Sequence, residues 1–231
     1  MIRLGNGIIQ LLSANKANGR LDVFSDFYNK FESRHYKKGE VLIRADDNPQ
    51  GVFCLTKGYV RQYTLSKGGA ELTLHILKPV SYFPMTWAVN DTFNIYYFEA
   101  LTPVEAGRAP REEVIKLIRS KPELIFDLMK KLLEEHDETL ARIGHLVFSD
   151  AYRRALSVLI YLAKHFGEDV NGQRVVKHRF THQNIATLVG VARETASNEI
   201  NKLEKKGLIK YVDHAIVYKG MEELEAELYS V

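Results

Sequence analysis

The chain has 231 residues, 45% of them apolar, which is enough for two modest domains with separate cores. Its formal charge is only +3, and a single cysteine, Cys54, excludes both an intrachain disulfide and an iron–sulfur cluster held by several thiolates. No apolar run reaches the length of a membrane span and the N-terminus has no signal-peptide pattern, so a cytoplasmic location with no membrane partner is expected.

In chain order, Ile8 to Tyr28 reads as short helices around a loop at Asn15–Gly19. From Phe31 to about Glu105 the character changes to short β-rich runs: Glu40–Ile43, Val52–Leu55, Tyr59–Leu65 and Glu71–Leu77. Turn signals separate them at Lys38-Gly39, Asp46–Pro49, Lys57-Gly58 and Lys67–Gly69. Short strands punctuated this way predict a small barrel or jelly roll. Cys54 sits inside an apolar run and is expected to be a buried small hydrophobe.

A long helix follows, with Pro122 suited to its first turn. Met129, Leu133, His136, Leu140, Ile143 and Val147 recur at alternating steps of four and three, a heptad seam that lets two helices pack along their length. A second stripe of Ile125, Leu128, Leu132 and Thr139 predicts packing against the β-rich domain. Phe148-Ser149-Asp150 ends the seam, and Ser149 or Asp150 caps the next helix, Arg153 to His165. Gly167 to Lys177 reads as a loop leading into a short strand.

The segment from Thr181 to Ile200 reads as two short helices joined by a tight turn. Thr181 is a suitable N-cap, and Ile185, Leu188 and Val189 give the first helix one buried face. Gly190 falls at the turn, where positive φ is needed. Beyond it Ala196, Ile200 and Leu203 face inward, leaving Arg193, Glu194, Ser197 and Asn198 outside. That pattern describes a helix-turn-helix whose second helix presents its N-terminal residues to the major groove. Leu208–Val212 and Ala215–Tyr218 flank Asp213-His214 as a two-residue hairpin, hence a wing. Asp150 to Lys219 carries twelve Lys/Arg against seven Asp/Glu, an excess of five suited to phosphate neutralisation, before an acidic terminal helix with Glu222, Glu223, Glu225 and Glu227.

The motif Thr181-x-Gln183-x-Ile185-Ala186-x-x-Val189-Gly190-x-x-Arg193-Glu194-Thr195-x-Ser197 resembles that of the cAMP receptor protein/Fnr (Crp-Fnr) family of bacterial transcription regulators. Gly39, Gly51 and Gly58 also fall where that family's β-roll has its turn glycines. The resemblance implies an α+β chain in three parts: a β-roll sensor domain of the cyclic-nucleotide-binding, jelly-roll type with flanking helices over 1–121, a dimerisation helix over 122–148, and a winged helix-turn-helix over 149–231. It implies a homodimer acting on double-stranded DNA and on RNA polymerase, with no catalysis. Arg193, Glu194 and the third reading position, here Asn198 where relatives have arginine, then face successive bases of each half-site. Arginine suits guanine, glutamate suits cytosine and asparagine suits adenine. Thr181, His182, Thr195, Ser197 and Lys202 complete the expected DNA-contacting set, and Ala192 replaces the serine or threonine common before the first arginine.

The sensor departs from the family's pattern. Where cyclic-nucleotide binders carry a Gly-Glu pair this chain reads Tyr82-Phe83-Pro84-Met85, and where they carry Arg-Ser or Arg-Thr it reads Phe93-Asn94-Ile95-Tyr96. No carboxylate stands there for a ribose hydroxyl and no guanidinium for a phosphate, so a response to cAMP or cGMP is not expected. An aromatic-lined pocket using Tyr82, Phe83, Met85, Asn94, Tyr96 and Thr139 for a flat or apolar effector is one expectation, and a filled interior the other. Two alternatives use the same scaffold. A haem-dependent gas sensor requires an axial ligand such as His75, and a cupin-like metal enzyme requires a His/carboxylate set where the sensor offers His35 and His75 far apart. No metal or cofactor is expected.

Overall fold

The computed structural model describes residues 21–229; of the stretch Ile8–Tyr28 read as short helices around a loop, the part before residue 21, including the loop at Asn15–Gly19, lies outside them. The described chain forms two compact units that do not follow chain order. One comprises residues up to Arg61 together with Ile76–Leu128, and the other Gln62–His75 with Met129–Val231.

Helix α1 (Leu21–Tyr28) precedes strands β1 (Ser33–Tyr36), β2 (Val41–Ile43), β3 (Val52–Lys57), β4 (Val60–Leu65), β5 (Glu71–Leu77) and β6 (Tyr82–Phe83), of which most of β4 and β5, through Gln62–His75, is grouped with the second unit. Short helix α2 (Met85–Asn90), β7 (Tyr97–Ala100), β8 (Val104–Ala109) and helix α3 (Arg111–Ser120) follow. The strands form two four-stranded sheets in the orders β1-β8-β3-β6 and β2-β7-β4-β5, the double sheet of a roll. β3 shows why its apolar run is unbroken. Phe53 and Leu55 enter the core between the sheets with Val60, Leu77, Phe83 and Phe98. Val52 and Cys54, half a pleat away, face a second core built by Phe24, Tyr28, Ala88, Val114 and Leu124 from the covering helices. Gly58 is required at its turn: φ is 84°, and a Cβ there would stand 2.3 Å from the Pro103 carbonyl oxygen.

Helix α4 (Pro122–Phe148) begins in this unit and continues into the other. Leu124 is 2% exposed and Leu128 packs onto the helix-side core, but Ile125 and Leu132 are 46% and 64% exposed. The second stripe expected from the sequence is therefore corrected: Leu124 and Leu128 form it, while Ile125 and Leu132 widen the exposed face.

The second unit carries α5 (Ala151–Phe166), β9 (Glu168–Val170), β10 (Gln173–Val176), α6 (His182–Val189), α7 (Arg193–Lys205), β11 (Ile209–Val212), β12 (Ala215–Tyr218) and α8 (Met221–Tyr229). Asp150 rather than Ser149 caps α5, accepting the Arg153 amide proton at 2.8 Å. The segment after α5 is a hairpin, not a loop, because Asn171 and Gly172 both take positive φ and reverse the chain in two residues. β10 then joins β12 and β11, giving the order β11-β12-β10-β9. Ala155, Leu156, Leu159, Leu162, Ile185, Ile200, Leu203 and Ile216 are fully buried in its core, where the Tyr218 hydroxyl donates to the Leu159 carbonyl at 3.0 Å.

Candidate nucleic-acid interface

The recognition face is positioned by short-range chemistry. At the start of α6 the Thr181 hydroxyl accepts the Asn184 amide proton at 3.1 Å, and the Asn184 side-chain oxygen accepts the Thr181 amide at 3.0 Å. This capping box satisfies two N–H groups reciprocally. It also commits the Thr181 hydroxyl to the helix cap. Gly190 ends α6 at φ 73°, in the left-handed region. α7 starts without a side-chain cap at Ala192, which leaves its first N–H groups without a side-chain acceptor. Ala196, Ile200 and Leu203 are fully buried against α5 and α6.

The opposite face of α7 presents Arg193, Glu194 and Asn198 to solvent, with Thr195 and Ser197 half-buried beside them. The Ser197 hydroxyl is joined to His182 Nδ1 at 2.8 Å, and the His182 ring lies 5.8 Å from the Tyr211 ring of the wing. Lys202 stands further along the helix with its ammonium on both oxygens of Glu199, at 2.9 and 2.8 Å, so its charge is already partnered within α7. The wing turns as the sequence requires, Asp213 and His214 both at positive φ (49° and 69°).

These parts enclose a cleft of about 530 Å³ lined by Arg179, Thr181, His182, Gln183, Arg193 and Tyr211, with His214 at the wing tip. Arg179, Gln183, Tyr211 and His214 escape a list drawn from sequence alone. Their signal was their placement, two residues before the cap, within the motif, and on the predicted wing. The cleft therefore gathers two arginines and two histidines around the N-terminal ends of α6 and α7, an arrangement that attracts a polyanion and offers a guanidinium fork to guanine edges.

The long helix leaves its heptad seam open. Met129, Leu133, Leu140, Ile143 and Val147 are 45–66% exposed, and His136 is exposed among them. So much apolar surface on one helix face marks an interaction site.

The residues read as an effector pocket do not converge. Phe83 lies inside the roll, its ring 5.3 Å from Phe53 and 5.0 Å from Phe98 in near-parallel stacks, with Tyr96 packed on the same core. Tyr82 and Met85 belong to the core on the other side of the sheet, where Tyr82 stacks on Tyr28 and meets the tilted Phe24 ring at 4.5 Å. Adjacent residues of one strand point to opposite faces, so Tyr82 and Phe83 cannot line one cavity. Asn94 is 4% exposed and donates its amide to the Arg44 and Tyr96 carbonyls at 2.9 and 2.8 Å, stapling its own loop. Thr139 spends its hydroxyl on the Glu135 carbonyl of its own helix, at 2.8 Å. The single pocket expected from the sequence is corrected to two packed cores and a loop staple.

His75, the residue considered as a haem ligand, packs near α4 with its Nε2 4.0 Å from Glu135. Burial, reinforced by the nearby His165 charge, holds its pKa down to about 4. Among the described residues no group of three or more His, Cys, Asp or Glu side chains is arranged to hold a metal ion. His35 lies on β1 and His75 on β5, in different sheets.

Comparison with known proteins agrees with this geometry. Residues 33–121 match the model of the cyclic nucleotide-binding domain, and residues 153–227 that of the Crp-like helix-turn-helix domain. The chain is 27% identical to the global nitrogen regulator of Nostoc sp. over 75% of this chain and 79% of that one. It is 27% identical to the HTH-type transcriptional regulator ArcR of Staphylococcus haemolyticus over 94% of each. Among solved structures, a CRP/FNR-family transcriptional regulator from Thermus thermophilus superposes with a TM-score of 0.67 at 25% identity, covering 86% of this chain and 99% of that one.

Proposed function

Because the chain belongs to the Crp-Fnr family of DNA-binding transcription regulators, we propose that it acts as a homodimer, reads a two-fold symmetric operator, and does so without a cyclic-nucleotide signal. The observation that carries this reading is the placement of Arg193, Glu194 and Asn198 on the open face of α7 while Ala196, Ile200 and Leu203 anchor its back. Arg193 donates a bidentate fork to guanine, Glu194 accepts from the paired cytosine, and Asn198 favours adenine at the next position. His182, Ser197 and Tyr211 orient the helix, and Arg179 and His214 supply phosphate contacts. Lys202 adds a weaker, sequence-independent attraction through its paired ammonium.

The open Met129–Val147 face supports pairing with a second copy, which places two recognition helices on successive major grooves about one helical turn apart. RNA polymerase is the further partner, and the cytoplasm the place of action. Three features support independence from cAMP and cGMP. The Phe53–Phe83–Phe98 stack packs the roll interior, Met85, at the position of the usual ribose-binding glutamate, packs into the helix-side core, and Asn94, at the second anchor, is spent on its own loop. None provides a charge for a cyclic phosphate. We assign no cofactor to the sensor, and catalysis forms no part of the reading.

Selection of bound sequences from a random DNA pool tests the whole proposal. The expected product is a palindrome with a conserved G·C pair in each half-site. Enrichment of no sequence, or of a single asymmetric half-site, would overturn it. Calorimetric titration with cAMP and cGMP is expected to give no saturable heat, and a micromolar dissociation constant would refute the effector part alone.

A further inference from the structure

We infer that Arg142 is a positioning residue that sets the spacing at which the dimer reads its two half-sites. The inference rests on the dimer reading above and deepens it. The tip of the β4–β5 hairpin, the long helix beyond Leu128 and the winged helix form one compact body, and Arg142 stands at the junction of all three. Its Nη1 donates to the Leu74 carbonyl at 2.6 Å, and its Nη2 donates to the Thr73 carbonyl and, at 2.9 Å, to the Leu188 carbonyl. One guanidinium thus ties β5 to the last turn of α6, whose terminal carbonyls carry partial negative charge and lack partners within the helix.

A second, neutral bond runs parallel to the first. The hydroxyls of Thr73 and Thr187 meet at 2.9 Å, and both residues are buried. Leu72 closes the contact beside the turn of the helix-turn-helix, its Cδ1 3.4 Å from where a Cβ on Gly190 would stand. No carboxylate is among the bonded partners of Arg142, and its Nε has none among the described residues. A half-buried cation whose bonded partners are all carbonyls is favoured where those carbonyls are fixed in place, since each lost bond leaves part of the charge without a partner. The clamp therefore has one favourable geometry.

Its location gives that geometry a consequence. Arg142 is half-buried between Leu140 and Ile143, which lie on the exposed seam face of the same helix segment. Seam, clamp, α6 and recognition helix are linked in series, the last step being the packing of α6 on α7, where Ile185, Leu188, Ala196 and Ile200 are all buried. In a two-fold dimer this series fixes the separation and twist of the two recognition helices. One base pair inserted between half-sites moves the second by about 3.4 Å and rotates it by roughly 35°. A clamped head does not follow that displacement, whereas a released one does.

The test uses the full chain, bound to the selected operator with its spacer shortened by one base pair, unchanged, or lengthened by one or two. Wild type is expected to lose roughly tenfold or more in affinity for each base pair of change, comparable to a mismatched contact. Arg142→Met, which keeps the stem and removes the donors, should flatten the spacer profile to within about threefold while the preference for guanine opposite Arg193 persists. The double variant Thr73→Val/Thr187→Val removes the parallel bond at nearly constant shape, and serves if Arg142→Met fails to fold. It should also flatten the profile. A folded, dimeric variant that keeps the wild-type profile overturns the clamp alone. A wild type that sediments as a monomer overturns the clamp and the dimer reading together.

Discussion

Replacing Leu140 by glutamate is the sharpest probe of the seam. In the single chain Leu140 is 52% exposed, between His136 and Ile143. Burying a whole leucine is worth roughly 2–3 kcal/mol, so sealing the remaining half of this one contributes about 1–1.5 kcal/mol per copy, or about 2–3 kcal/mol per dimer. The substitution forfeits that and sets two carboxylates near each other in an apolar seam, adding several kcal/mol of desolvation and repulsion. A total of at least ~4 kcal/mol corresponds to roughly a thousandfold rise in the dimer dissociation constant. Glutamate is a good helix former, so the helix itself should persist and circular dichroism should not change. Sedimentation velocity across a concentration series reads the association, and fluorescence anisotropy with an operator duplex reads the binding. Monomers with DNA affinity reduced to that of a single head are the expected result. A Leu140→Glu protein that remains dimeric at micromolar concentration and binds the operator as wild type does would refute assignment of the interface to this face.

Arg193→Ala should cost about 1–3 kcal/mol at the selected operator and flatten discrimination at its guanine, read from single-base operator variants. Lys202→Ala should weaken all sequences alike and by less, because Glu199 already holds its ammonium. Thr181→Ala should lower the unfolding free energy by about 1 kcal/mol, measured by chemical denaturation, with Thr181→Ser retaining most of it. His75 predicts an acid-labile fold. Above pH about 6.5 both states hold a neutral imidazole, and below it the unfolded chain takes up a proton that the folded one resists until about pH 4. Stability should therefore fall across that window by at most about 3 kcal/mol from this group. Glu135, held above the usual carboxylate range by burial, works in the opposite direction, so the comparison is between wild type and His75→Gln. A His75→Gln protein with the same pH dependence of its melting temperature would refute the assignment.

The helix-turn-helix was legible because its determinants are local. The Thr181 cap, the Gly190 turn and the apolar spacing through Leu203 act over one or two helical turns, and each appears where the sequence indicates. Asp213-His214 specified the wing turn in the same way. The second hairpin was equally local, since Asn171-Gly172 is a standard reversal, but its short polar strands masked it. Four of the eight strands of the roll, β2 to β5, were readable from their turn signals, whereas the short outer strands β1, β6, β7 and β8 were not read, nor were α2 and α3, although Pro84 and Pro110 stand at their starts.

By itself, then, the sequence determined the central strands of the roll, the long helix and the helix-turn-helix with its wing, together with the cap and turn chemistry, the outward face of the recognition helix and the heptad stripe. Tertiary structure decided which faces those elements turn toward one another. Tyr82 and Phe83 are neighbours in sequence yet enter different cores, because a strand alternates its side chains and the helices cover one face of its sheet. Ile125 and Leu132 share the spacing of Leu128 but remain exposed. Arg142 reads as an ordinary charged helix residue until β5, 68 positions away, and α6, 46 positions away, bring carbonyls to its guanidinium. Local geometry follows from neighbouring residues, but burial and partnership depend on segments that meet only when distant parts of the chain fold together.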